Sequence, residues 1–264
     1  MRDHLYLVNA ALAGSRSALA SLPADRLRSA ADVRAALRRR QEGALWIAPD
    51  AAAIRIILHA LPARPVGDQR LLCLQAKRGD GHALLHAAFR FVVSADEGMR
   101  LAPASELSEI LSSGRRAELL VGAGVAEGSI VLYRGNLEPL ILPLQWFRAR
   151  KSAHHLDASA PVVTDFGQTL RMGEQEVATE AILYEFDAAY RRRAKSRQLQ
   201  TNPSFGGALR RLRLQKGLRQ CDFPGVTTKE IARIERGEVK RPQQRTLAAI
   251  ARQMGVCVDE ISTY

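Results

Sequence analysis

Apolar positions along the chain change period more than once. Over 3–20 and 24–40 the spacing predicts two helices. In the second, Leu27, Ala30, Val33 and Leu37 recur at helical intervals, and Arg26, Arg34, Arg38 and Arg39 occupy the remaining surface. From residue 44 the apolar residues come in short runs instead: ALWIA (44–48), IRIILHAL (54–61), RLLCLQA (70–76) and LLHAAFRFVV (84–93), separated by Pro, Gly and Asp. Runs of that length between turn residues read as strands, although the Ala-rich stretch 83–89 fits a helix equally well. SELSEILSSG (105–114) predicts a helix with Ser105 as N-cap and Gly114 just past its end.

AELLV, SIVLYRG and LEPLILPL, within 117–144, read as strands with a hairpin turn at Gly135–Asn136, and a short helix follows in 145–153. After Gly173, EVATEAILYEFDAAYRRRAKSR reads as one long helix. Val177, Ile182 (or Ala181), Leu183 and Phe186 form its buried side. QLQTNPS (198–204), polar and holding Pro203, reads as a linker. Beyond it the helical signals become dense. Phe205, Leu209 and Leu212 share a face, with Arg210, Arg211 and Arg213 off it, between a Ser204 cap and a Gly217 stop. Thr227 and Glu230 have capping-box spacing ahead of Ile231 and Ile234. Leu247, Ile250, Ala251 and Met254 then recur from just after Pro242 to Gly255.

Charge sharpens this division. Of 39 Lys and Arg against 27 Asp and Glu, the last 74 residues hold 17 and 6, which is nearly all of the net +12. A basic helical module on a neutral body points to a polyanion as partner. Three widely spaced cysteines (Cys73, Cys221, Cys257) support neither a disulfide framework nor a zinc ribbon, and a reducing, cytoplasmic setting is expected. No apolar run approaches membrane-spanning length. The N-terminus, with Asp3 and His4 early and Asn9 and Gly14 interrupting its apolar run, reads as a helix of the protein rather than a signal peptide.

The pattern LRRLRLQKGLRQ…GVTTKEIARIERGE…RP…TLAAIARQMGV…EI resembles the helix-turn-helix domain of phage repressors and Cro, the xenobiotic-response-element family, over roughly 205–262. The resemblance implies sequence-specific binding of double-stranded DNA, as a dimer that regulates transcription. It implies Gln220 on backbone phosphate and sometimes a base, and a recognition helix beginning at Thr227, with Thr228, Lys229 and Arg233 facing the major groove. Arg236, Lys240 and Arg241 are placed to neutralise phosphate. One stretch departs from the family. Only Cys221, Asp222, Phe223 and Pro224 separate Gln220 from Gly225, so the second helix is reduced to a turn, with Phe223 filling the core.

The rest of the chain announces no enzyme. Gly122, Gly124 and Gly128 have a phosphate-loop look, but SIVLYRG follows where a helix should open, so a glycine-rich hairpin is expected and no nucleotide. His82 and His86, with Cys73 or Asp80, lack a clear third and fourth ligand, so no metal and no cofactor is expected; His154 and His155 read as solvated. The basic run Arg191–Arg197 has two readings of equal weight, the solvated end of a helix or an extension of a DNA footprint.

The expected fold is α+β: a mixed α/β body followed by a small all-α helix-turn-helix domain, with domains at 1–125, 126–197 (small, α+β, ending in a basic helix) and 204–264. The expected function is a DNA-binding transcriptional regulator whose body dimerises it or senses a small-molecule or protein effector. The alternatives are an antitoxin-like or adaptor protein with secondary DNA contact, and an enzyme whose basic tail only localises it.

Overall fold

The computed structural model describes residues 4–8, 19, 21–39, 41–75, 81–95, 98–148, 161–239 and 241–262. The chain divides into two compact units, Met1–Asp187 and Ala188–Tyr264. The first is mixed α/β and the second is helical.

The first unit opens with a parallel five-stranded sheet. Its strands are β1 (Leu5–Val8), β2 (Asp25–Leu27), β3 (Leu45–Ala48), β4 (Arg70–Cys73) and β5 (Phe91–Ser94), in the order β2-β1-β3-β4-β5. Helices α1 (Ala30–Arg38), α2 (Ala51–Ala60) and α3 (His82–Ala88) connect successive strands from β2 onward. Their apolar stripes bury one face of the sheet, where Val33, Ile57 and Leu85 join Tyr6, Trp46 and Leu71 in one cluster. The residues of the opposite face, Leu5, Leu7, Ile47 and Leu72 among them, are buried as well.

Burial on both sides explains the first correction to the sequence reading. A strand covered on both faces has no alternation, so LYLV carries no period-2 signature. Residues 5–8 are therefore strand where a helix over 3–20 is expected, and the rest of that helix lies outside the described residues except Leu19, which sits in a turn. Similarly the helix expected over 24–40 is a short strand, Asp25–Leu27, and then a helix, Ala30–Arg38, capped at Ser29 by a capping box with Asp32. IRIILHAL is helix α2, not strand: Asp50 caps Ala53, and Ala53, Ile57 and Ala60 form the buried stripe. LLHAAFRFVV divides at Phe89–Arg90, helix before and strand after.

Next come β6 (Met99–Leu101), α4 (Ala104–Ser112), β7 (Leu120–Ala126), β8 (Ser129–Arg134), β9 (Pro139–Pro143) and α5 (Leu144–Arg148). The four strands form an antiparallel sheet in sequence order. Pro103, not Ser105, occupies the N-cap of α4. The Gly122–Gly128 stretch is the β7–β8 hairpin, turning at Glu127–Gly128 with both residues at positive φ. In the β8–β9 hairpin the left-handed residue is Leu137, one place beyond Gly135–Asn136. Arg70 of β4 crosses to this turn: its Nη1 donates to the Asn136 carbonyl at 2.7 Å and its Nη2 lies 3.5 Å from Glu138.

A three-stranded antiparallel sheet, β10 (Val162–Thr164), β11 (Thr169–Met172) and β12 (Gln175–Ala178), precedes α6 (Thr179–Phe186). The long helix expected after Gly173 is thus strand, helix and a break at Asp187, whose carboxylate accepts from Arg134 Nη1 at 2.8 Å.

The second unit begins with α7 (Ala188–Thr201), which takes in most of the polar stretch read as a linker. It continues with α8 (Phe205–Gln215), α9 (Thr228–Glu235), α10 (Gln244–Met254) and α11 (Val258–Ile261). Leu209, Leu212, Phe223, Val226, Ile231, Ile234, Ile250, Met254 and Ile261 form its core. Ser204 caps α8, and Gly217 and Gly255 at positive φ end α8 and α10, as the residue pattern predicts. Among the described residues no helix is long and apolar enough to cross a membrane.

Candidate nucleic-acid interface

Helix α9 is an eight-residue amphipathic rod. The Thr227 hydroxyl accepts from the Glu230 amide at 3.1 Å and starts it. Only half of the predicted capping box forms, because the Glu230 carboxylate accepts from the Thr246 hydroxyl of α10 at 3.1 Å. Ile231, Ile234 and Glu235 are buried, whereas Thr227, Thr228, Lys229, Arg233 and Arg236 are exposed.

Behind the rod lies a buried ion pair. Arg213 Nε and Nη2 donate to the two Glu235 oxygens at 2.6 and 3.1 Å, in the bidentate geometry that suits guanidinium and carboxylate. Arg213 also donates through Nη1 to the Leu218 carbonyl at 2.8 Å. The Gln220 amide donates to Glu235 Oε2 at 2.7 Å. One guanidinium therefore fixes α8, α9 and the first part of the turn between them. Arg213 is buried, contrary to its assignment off the apolar face of α8.

The stretch from 219 to 226 has no helix, as the shortened spacing predicts. The Arg219 amide donates to the Asp222 carboxylate at 2.7 Å; that bond first, and then the Arg219 guanidinium, hold this carboxyl below its usual range. Phe223 is 2% exposed and takes the core position. Gly225, at φ +77°, turns the chain back toward α9.

Past the end of α9 the chain supplies its own anion. Glu238 accepts from Arg236 Nε at 2.6 Å and lies 3.4 Å from Arg233 Nε, with all three side chains about half exposed. The Arg236 hydrogen bond is the main cause of a Glu238 pKa below the ordinary glutamate value.

Of the residues singled out by sequence, Thr227, Thr228, Lys229, Arg233 and Arg236 come together along or beside α9, and Arg241 is exposed a few residues on. Gln220 is half-buried with its amide on Glu235. Lys240 lies outside the described residues. The sequence reading missed Arg213–Glu235 and the anionic role of Glu238. The first pair is 22 residues apart and no periodicity announces it; the alternation of Arg233, Arg236 and Glu238 is a local signal for the second.

The other candidates separate. His82 and His86 do lie side by side on α3, with ring centroids 4.9 Å apart and the rings tilted by 56°, while Cys73 is packed in the sheet core. No group of three or more metal-ligating side chains occurs among the described residues; Asp80, His154 and His155 lie outside them. Helix α7 carries Arg191, Arg192, Arg193, Lys195 and Arg197 and no acid. Arg193 and Arg197 lie over the Tyr190 ring, at 6.0 and 5.5 Å from its centroid. Arg192 and Lys195 are exposed.

No family model matches the chain, and searches of curated proteins and of solved structures return no match.

Proposed function

We propose that the protein is a DNA-binding transcriptional regulator that inserts α9 into the major groove of a duplex. The observation that carries this reading is the asymmetry of α9. Its inner side is fixed by Ile231, Ile234 and the Arg213–Glu235 pair, and its outer side offers Thr228, Lys229 and Arg233. An α-helix with its side chains is about 10–12 Å across, which a B-form major groove about 12 Å wide admits. A rod held from behind keeps its outward side chains in register with base edges, and Lys and Arg suit the guanine edge. Arg236 and Arg241 are then placed for phosphates.

Two features shape the proposal further. One recognition helix gives few base contacts, so two copies of the chain on paired half-sites are part of this reading, with the Met1–Asp187 unit as the dimerising or effector-sensing body. Arg192 and Lys195, exposed on a helix that carries no acid of its own, extend the phosphate footprint in this reading. A second reading, an adaptor with incidental DNA contact, draws support from Glu238, which already neutralises part of the charge beside α9.

Salt dependence tests the proposal. With six phosphate contacts, log K for a duplex falls against log salt with a slope of about −5. Arg192→Ala with Lys195→Ala lowers that slope by up to about 1.8 if both residues touch phosphate. A flat salt response favours the adaptor.

A further inference from the structure

A cleft of about 920 Å³ opens in the first unit, beneath the ends of α1 and α2 and beside the loop that leads into β4. Its size falls in the range of about 300–1,000 Å³ typical of small-molecule sites. The lining is two-sided in character. Leu37 and Ala60 are buried at its base, and Leu61, Pro62, Pro65 and Val66 continue the apolar wall. Arg34, Arg38 and Arg64 stand around it.

The charges of the lining are not balanced within it. Asp68 is committed elsewhere, 2.7 Å from Arg90 and 3.6 Å from Arg70. Arg34 is oriented by donating from Nη2 to the His59 carbonyl in the last turn of α2 at 2.8 Å. Among the described residues Arg38 and Arg64 make no ion pair, and Glu42 is the one other carboxylate on the lining. The walls are preformed. The Tyr6 hydroxyl donates to Gln41 at 2.8 Å, the Val66 amide donates to the Ala88 carbonyl at 2.9 Å, and Pro62 and Pro65 stiffen the loop between. A preformed cleft loses little entropy when it is filled.

We infer that this cleft binds a small organic carboxylate with an aliphatic or aromatic body, the body against Leu37, Ala60 and Val66 and the carboxylate held by Arg38 and Arg64. Burying the tail supplies the non-directional attraction, and the arginines select the anion over a neutral analogue through charge-assisted hydrogen bonds. The inference rests on the first unit alone and does not depend on the nucleic-acid reading.

The test is calorimetric titration of the full chain with octanoate, 1-octanol and octyltrimethylammonium. One octanoate binds per chain, octanol binds about tenfold more weakly or worse, and the cation does not bind. Arg38→Ala with Arg64→Ala weakens octanoate by about tenfold and leaves octanol unchanged, which also reports that the cleft remains folded. Arg245→Ala with Arg252→Ala, which removes the same charge from the second unit, leaves octanoate binding unchanged. Absence of saturable octanoate binding, equal affinity for octanol, or equal loss in the two double variants overturns the inference.

Discussion

Arg213 and Glu235 meet head to head inside the C-terminal unit, Nε to Oε1 at 2.6 Å and Nη2 to Oε2 at 3.1 Å, with side-chain exposures of 8% and 1%. Removing one partner strands the other charge away from water. Glu235→Ala therefore costs about 3–5 kcal/mol, whereas Arg213→Met with Glu235→Leu removes both charges and costs less, about 1–3 kcal/mol for the Gln220 amide and the Leu218 carbonyl that lose their partners. Hydrogen exchange at the α9 amides reads the difference: at least about a hundredfold faster in the single variant and clearly slower than that in the double. Equal exchange in the two variants contradicts this account of what holds α9.

Gly206 inverts an ordinary rule. Gly→Ala inside a helix usually stabilises by about 1 kcal/mol. Here an added Cβ would overlap the Ile234 carbonyl oxygen, a backbone atom that cannot rotate aside. Gly206→Ala is expected to destabilise by about 1–3 kcal/mol, measured as a lower urea midpoint for the second unit, by pushing α8 away from the end of α9. A raised midpoint refutes the close approach.

Glu238 lies against Arg233 and Arg236, so under the proposed function it competes with phosphate for both. Glu238→Gln is expected to tighten duplex binding by about threefold to tenfold and to steepen its salt dependence, since one anion leaves the interface and two arginines are released. In the free protein the hydrogen bond from Arg236 holds this carboxyl below the ordinary glutamate range. A depressed folded-state pKa means that the contact acts above the unfolded value and is lost as pH falls through the lowered one. Carboxyl NMR of Glu238 should give a midpoint below that of a free glutamate, and a midpoint at or above it shows that the arginines are not engaged.

The C-terminal unit is the part most legible in the sequence, because its helices are short, one-sided and individually capped. Leu209 and Leu212, Ile231 and Ile234, and Ile250 and Met254 follow the helical period, and Ser204, Thr227, Gly217 and Gly255 stand at the ends. The first unit hides its organisation for physical reasons. A central parallel strand such as LYLV is apolar on both faces, so it shows no alternation to read. IRIILHAL has strand-like residues but a helix start, set by Asp50 at its N-cap. The break at Asp187 faces an arginine 53 residues away, and no local pattern shows it. Gln220 illustrates the same limit at the candidate interface: its amide donates to Glu235, a partner visible only in three dimensions.

The most direct measurement is selection of bound duplexes from a random pool, with the intact protein and with Arg233→Ala. The account predicts one enriched motif for the intact protein, and for the variant relaxed preference at the guanine that Arg233 reads, worth about 1–3 kcal/mol at that position. Binding without enrichment, or an identical motif from the variant, contradicts base reading by α9.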